Sequence, residues 1–293
     1  MRVATSTNII STRRHRARVP MIEFIPFLAE AGFCLLDVNL CEMMNEDSLL
    51  RGPQRSAYVK QLQSYQKQYG LEYHQAHAPY THDRFGMAKE EGRQLDELIF
   101  ASIEIAGELG VGHVVLHAAT DFVTPSLSLE KNLDWLHPFV NKAKEAGTAI
   151  ALENLDYSKT KIPEYTSQAS ELVALIDAFD SPLISACYDF GHAHLAKVDH
   201  RQFLLALGNR LSCLHVADNH GDSDEHLMPF YGTVPWEICM RTLKEIGYQG
   251  ELTYEVMFFT QHLPQQLHRS FLHHAMDVGI YLVDLFAKAP GPS

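Results

Sequence analysis

Short runs of Val, Ile, Leu and Ala alternate with longer amphipathic stretches from one end of the chain to the other. That alternation predicts repeated β-α units and a parallel sheet. Eight strands are read, near Arg2–Thr7, Phe33–Asn39, Glu72–His77, His113–His117, Ala149–Glu153, Ile184–Asp189, Leu211–Val216 and Leu252–Val256. Helices are predicted at Met21–Ala31, Arg55–Tyr69, Lys89–Leu109, Leu129–Ala146, Ala169–Ala178, Gln202–Leu207, Trp236–Ile246 and Gln265–Phe286.

Glycine marks the helix-to-strand turns at Gly32, Gly70, Gly110, Gly147 and Gly247, where a left-handed residue ends a helix before the next strand. The strand-to-helix loops are longer, notably Ala78–Ala88, Asn154–Gln168 and Ala217–Pro235, and they carry the unusual residues. Eight such units predict an α/β fold, a (β/α)8 barrel with its active-site face built from those loops. No composition break or linker interrupts the pattern, so residues 1–293 are expected to form one barrel domain. The tail Ala287–Ser293 is expected to fray.

Composition narrows the picture. No apolar run approaches the roughly 18 to 20 residues that a membrane span needs, so no membrane association is expected. The amino terminus lacks the apolar core and cleavage site of a signal peptide, which predicts a cytoplasmic chain. Cys34, Cys41, Cys187, Cys213 and Cys239 are scattered and form no C-x-x-C pair, so reduced and mostly buried thiols are expected. The formal charge of −12 disfavours nucleic acid and acidic membranes as partners. A local cationic strip of Arg13, Arg14, His15, Arg16 and Arg18 is either a solvated loop or a contact for an anionic substrate. A monomer and a homo-oligomer both remain open.

The 17 histidines carry more information, because imidazole is the commonest metal ligand and a frequent acid or base. Six predicted strands carry at their last or next-to-last position a residue that can bind metal: His77, His117, Glu153, Asp189, His215 and Glu255. In a barrel, six strand ends around one ring point at a common volume. Three further candidates follow in the loops, namely His192, Asp224 and His226. A single histidine such as His117 is equally consistent with a hydrogen-bonded rim residue. Glu153 and Glu255 are different: each ends an apolar strand, where a lone carboxylate costs desolvation unless a cation or protein donors meet it. Asp189 and His215 share that context, so these four are expected to bind divalent metal. Mixed carboxylate and imidazole donors suit Mn²⁺, Zn²⁺, Co²⁺ or Mg²⁺ without choosing among them.

Several stretches together resemble the xylose-isomerase-like barrel superfamily. They are His77-Ala78-Pro79-Tyr80, Val115-Leu116-His117, Leu152-Glu153-Asn154, Cys187-Tyr188-Asp189-Phe190-Gly191-His192, Leu214-His215-Val216-Ala217-Asp218, Asp224-Glu225-His226, and Gly247-Tyr248-Gln249-Gly250 running into Tyr254-Glu255. The superfamily contains sugar and sugar-phosphate isomerases and epimerases as well as DNA-repair enzymes of the endonuclease IV type. In the epimerases four residues hold one metal ion, and the resemblance places these at Glu153, Asp189, His215 and Glu255. In the endonuclease type nine residues hold three zinc ions, which would enlist His77, His117, His192, Asp224 and His226 as well. Those five could equally bind sugar hydroxyls.

The resemblance implies proton transfer beside a carbonyl, with a metal stabilising the enediolate and with Glu153 and Glu255 exchanging the proton on opposite faces. His192 would steady a substrate oxygen. One departure stands out: Ala217-Asp218-Asn219-His220 replaces the Arg that follows the metal-ligand His in several ketose epimerases. A dehydratase using the same residues, and a multinuclear zinc phosphoester hydrolase, are the alternatives. The acidic balance favours a small sugar or sugar-phosphate substrate over DNA. Lys159 and Lys161 could meet a phosphate, though solvated surface roles suit them as well.

Overall fold

The computed structural model describes residues 1–10, 20–157, 162–257, 259–260 and 263–291. The Arg13–Arg18 strip, Lys159 and Lys161 lie outside the described residues. The strands are β1 (Val3–Ser6), β2 (Leu35–Asn39), β3 (Glu72–His77), β4 (His113–His117), β5 (Ala149–Glu153), β6 (Ile184–Asp189), β7 (Leu211–His215) and β8 (Leu252–Tyr254). They pair in the order β7-β6-β5-β4-β3-β2-β1-β8, and every pairing is parallel. The seam between β7 and β8 closes through a parallel bridge of Val216 with Tyr254. Val216 N donates to Thr253 O at 2.8 Å and Glu255 N donates to Val216 O at 3.1 Å. The result is the expected (β/α)8 barrel.

Around it lie α1 (Ile25–Glu30), α2 (Arg55–Tyr69), α3 (Lys89–Leu109), α4 (Ser128–Ala146), α5 (Ala169–Phe179), α6 (Phe190–Leu195), α7 (His200–Leu207), α8 (Trp236–Glu245) and α9 (His268–Lys288). Local chemistry explains their ends. In α3, Glu90 and Glu91 sit in the first turn, where the helix dipole favours negative charge. Leu95, Ile99, Ile103 and Ala106 recur at helical spacing and are buried on one face. The five turn glycines adopt φ of +98° (Gly32), +65° (Gly70), +72° (Gly110), +75° (Gly147) and +71° (Gly247), the conformation that needs no Cβ. Gln168 and Glu171 form a reciprocal capping box at the start of α5.

Three expectations need correction. The segment Met21–Ala31 is not one helix: a 3-10 turn at Met21–Glu23 precedes α1, whose Pro26 suits only a first turn. The last helix continues to Lys288, past the expected start of fraying at Ala287, with Leu282 and Phe286 buried. A short α6 follows β6 directly, in a stretch with no predicted helix.

The core has two layers. The large one lies between barrel and helices, and a small one, Val115, Ala151, Cys187 and Cys213, fills the barrel interior. Side chains alternate across a strand, so the residues two positions further along, His117, Glu153, Asp189 and His215, face the same interior one level nearer the mouth. The small apolar layer is therefore the floor on which the polar ring rests. Cys187, Cys213 and Cys239 are buried, Cys41 is half-buried and Cys34 exposed, all as free thiols. No described helix is long and apolar enough to cross a membrane.

Candidate active site

Glu153 stands at the centre of the ring and is fully buried. Its Oε1 lies 3.2 Å from His215 Nδ1 and 3.1 Å from His192 Nδ1. Its Oε2 lies 3.1 Å from His117 Nε2 and 3.3 Å from His77 Nε2. Burial opposes its charge, but the surrounding imidazoles of His215, His117 and His192 outweigh that and hold the carboxyl well below the usual range. His117 titrates the other way: burial pushes it down to about 3, against the pull of Glu153.

Asp189 ends β6 and begins α6, where its Oδ1 accepts the His192 N–H at 2.6 Å. Asn154 fastens the two strand ends together: Asp189 N donates to its Oδ1 at 2.7 Å and its Nδ2 donates to Asp189 O at 2.9 Å. Burial pushes Asp189 up to about 7; His192 and His215 pull down while Glu153 and Glu255 add to the rise. His215 Nδ1 faces Glu255 Oε2 at 3.5 Å and Asp189 Oδ2 at 4.0 Å as well as Glu153. Glu255 lies one residue beyond the end of β8 rather than on it, still 8% exposed.

Glu153, Asp189, His215 and Glu255 each offer an atom such that all four lie within 4.8 Å of one another. Glu153 Oε1, Asp189 Oδ2 and His215 Nδ1 are buried without an aligned hydrogen bond. Orphaned acceptors of this kind are costly in a dry interior unless a cation meets them, so the donor set fits a divalent ion. A second such set among the described residues, His77, Glu153 and His215, shares two members with the first. Among the described residues, the further candidates His117, His192 and His226 do not form such a set together. Instead His226 pairs with Asp224, Nε2 to Oδ2, at 2.7 Å. Burial opposes the charge on both, yet the pairing holds Asp224 down to about 2 and His226 up to about 9.

All nine predicted residues thus gather at one mouth, seven of them beside a cavity of about 720 Å³ that Glu153, Glu255, His77, His117, His192, Asp224 and His226 line. Asp189 and His215 sit beneath it, buried to 1% and 0% exposure. The sequence reading missed other wall residues: Asn39, Cys41, Tyr80, His82, Asp156 and Glu164. His82 Nδ1 meets Glu164 Oε2 at 2.6 Å and so links the loops after β3 and β5. It also missed Asp37, a buried carboxylate within β2 whose signal was a charge between Leu36 and Val38. The motif Ala217-Asp218 has a structural answer. Asp218 is fully buried and accepts N–H bonds from Phe230 (2.9 Å), Val234 (3.0 Å) and Trp236 Nε1 (2.8 Å), folding the loop that carries Asp224 and His226.

A (β/α)8 barrel with its ionisable side chains drawn into the C-terminal mouth defines a broad class of enzyme scaffolds. Within it, the sequence profile described as "Xylose isomerase-like TIM barrel" matches residues 26–268, and the chain belongs to that family. An uncharacterized protein, y4fM of Sinorhizobium fredii, is 26% identical over 196 residues, 66% of this chain and 61% of that one. Fructoselysine 3-epimerase of Shigella flexneri is 25% identical over 185 residues, 61% of this chain and 65% of that one. The match thus spans less than two thirds of the length of these curated relatives. Among solved structures, that of a D-tagatose 3-epimerase-like protein superposes with a TM-score of 0.75 at 22% identity, covering 98% of this chain and 99% of the other.

Proposed function

We propose that this chain is a divalent-metal-dependent isomerase or epimerase of a sugar or sugar phosphate. The observation that carries the reading is the convergence of Glu153, Asp189, His215 and Glu255 within 4.8 Å of one another beside a cavity of about 720 Å³. That volume falls inside the roughly 300 to 1,000 Å³ typical of small-molecule sites. The fructoselysine 3-epimerase relative and the tagatose-epimerase-like neighbour support a sugar substrate.

Those four residues would hold the ion, which when bound polarises a substrate carbonyl and the neighbouring hydroxyl. Glu153 and Glu255 both line the cavity, and they act as the proton-transfer pair, one removing the proton beside the carbonyl and the other returning it on the opposite face. His192 is anchored through Nδ1 at 3.0 Å from Asn154 O, which aims its remaining nitrogen at a substrate oxygen. His77 and His117 meet Glu153 at Oε2 while His215 meets it at Oε1.

A second reading, multinuclear zinc phosphoester hydrolysis, draws support from His77 and His117 both contacting Glu153 Oε2 while Asp224 and His226 stand at the same mouth. The discriminating experiment is exchange of substrate hydrogen with deuterated solvent, run on metal-loaded protein across ketoses and their phosphates. Exchange on one or more of them is expected. No exchange, together with phosphoester turnover, overturns the first reading in favour of the second.

A further inference from the structure

We propose that Asp37, on β2, is the positioning residue of the metal centre: it holds the His215 ring so that Nδ1 faces the ion and Nε2 carries the proton. The assignment rests on the metal-centre reading above and adds a residue on the opposite side of the barrel. Asp37 is 1% exposed, and its Oδ2 lies 3.5 Å from His215 Nε2, a nitrogen that is buried with no aligned hydrogen bond and has this carboxylate as its ion-pair neighbour. Among the described residues His215 is the basic side chain in ion-pair range of it. The other ring nitrogen, Nδ1, looks toward Glu153, Glu255 and Asp189 at 3.2, 3.5 and 4.0 Å. The two nitrogens thus face carboxylates of different kinds: three that share a point in the ring, and one that stands apart from it.

A neutral imidazole can give a lone pair to an ion through one nitrogen only, and the other then carries hydrogen. A carboxylate against the outer nitrogen fixes that tautomer and the ring's orientation. The strands are arranged to supply it. Leu36 and Val38 of β2 turn outward into the main core, which aims Asp37 inward. A register shift between β2 and β3 pairs Leu36 with Tyr73 but Asp37 with Gln75, skipping His74. That bulge sets Gln75 beside Asp37, and Gln75 Nε2 donates to Asp37 Oδ2 at 3.1 Å. The oxygen that faces His215 is therefore itself held in place. A charged residue buried in a strand interior is expensive unless it has such a task.

The test compares Asp37→Leu and Asp37→Asn with wild type by calorimetric titration with Mn²⁺ and Zn²⁺, without turnover. The asparagine can keep an oxygen toward Nε2 and Gln75, whereas leucine cannot. Loss of a carboxylate behind a metal-bound histidine typically weakens ion affinity by about 10- to 100-fold. Asp37→Leu should show a loss in that range and Asp37→Asn a smaller one. In parallel, ¹⁵N-histidine spectra of zinc-loaded wild type, with the His215 signal assigned by its loss in His215→Ala, should place the proton on Nε2. Wild-type ion affinity in a folded Asp37→Leu variant, or a proton on Nδ1, overturns the assignment. Should Asp37→Leu fail to fold, the wild-type spectrum decides alone. Normal ion binding without hydrogen exchange on any sugar refutes the epimerase reading and leaves this one standing; a wild type that binds no ion refutes both.

Discussion

Glu153 and His215 approach with Oε1 3.2 Å from Nδ1, yet both atoms are buried without an aligned hydrogen bond. They are turned toward a shared point rather than toward each other, as two ligands of one ion would be. Asp189 supplies a third oxygen there, so Asp189→Ala should abolish tight binding of divalent metal, measured by titration. It should also lower the melting temperature, because Asp189 caps α6 through the His192 N–H. Loss of such a cap costs about 1 kcal/mol. Circular dichroism should still report a folded barrel, and unchanged ion affinity in the folded variant would refute the metal assignment.

The two candidate donor sets both require Glu153 and His215. Two ions drawing on the same two side chains compete for their lone pairs, so one tightly held ion per chain is expected. Elemental analysis of protein purified without chelator measures this directly. Three zinc ions per chain accompanied by phosphodiester cleavage would replace the epimerase with the hydrolase.

Much of this architecture is legible in the sequence because barrel strands buried on both faces read as apolar runs, and because a carboxylate or imidazole closing such a run, like Glu153 after Ile150-Ala151-Leu152, breaks the pattern at one structural level. The turn glycines are equally plain, since their φ values tolerate little else. What escaped prediction depends on pairing between distant strands. Asp37 gains meaning only beside Gln75 and His215, which a bulge and the barrel's closure bring to it. Asp218 reads as a lost substrate contact by position, whereas in space it is the knot of its own loop. The helix α6 is too short to show a period and starts directly from a strand residue.

Asp218→Ala should therefore damage the loop before it touches chemistry. The change strands the Asn219, Phe230, Val234 and Trp236 N–H groups that now donate to this carboxylate. An unsatisfied buried donor costs about 1 to 3 kcal/mol, and shared relaxation keeps the four of them from adding in full. A stability loss of roughly 3 kcal/mol is expected by denaturant titration, with faster amide exchange confined to residues 218–236. Wild-type stability would show that water or the backbone replaces the carboxylate freely.

Stability of the metal-free protein should depend on pH in a direction set by the ring. His226 is held up to about 9: burial opposes its charge and Asp224 outweighs it. The same group titrates near about 6.5 in the unfolded chain, so its stabilisation is complete below that pH and is lost as pH rises through 9. Asp189, pushed up to about 7 by burial, acts in the same sense, its contribution fading as pH climbs from the unfolded value near about 3.9 through 7. His117, pushed down to about 3 by burial, opposes them by favouring unfolding as pH falls from about 6.5 toward 3. Melting temperatures of chelator-treated protein should fall between pH 7 and 9, and His226→Gln should flatten that limb. A limb of wild-type slope in the variant would show that the Asp224 pair does not carry it.

The proton-transfer roles make the sharpest demand on Glu153 and Glu255. In one direction one carboxylate, ionised, takes the proton while the other, protonated, delivers one to the opposite face, and the roles exchange when the reaction runs backward. The imidazoles around Glu153 keep its carboxyl well below the usual range against the burial that opposes its charge, so it starts ionised. Glutamine preserves the size of either side chain and one ligating oxygen but cannot accept the proton. Glu153→Gln and Glu255→Gln should each lower kcat by about 10² to 10⁴, the range of a lost general acid or base. Ion binding should weaken yet persist, since glutamine keeps one ligating oxygen beside the three intact donors, which Asp189→Ala does not. If the two groups serve opposite faces as proposed, the variants should also differ by substrate epimer: each should still exchange hydrogen with deuterated solvent from the epimer whose proton the surviving glutamate removes, while failing to invert it. Inversion at the wild-type rate in either variant would remove that glutamate from proton transfer and leave it a metal-holding role alone.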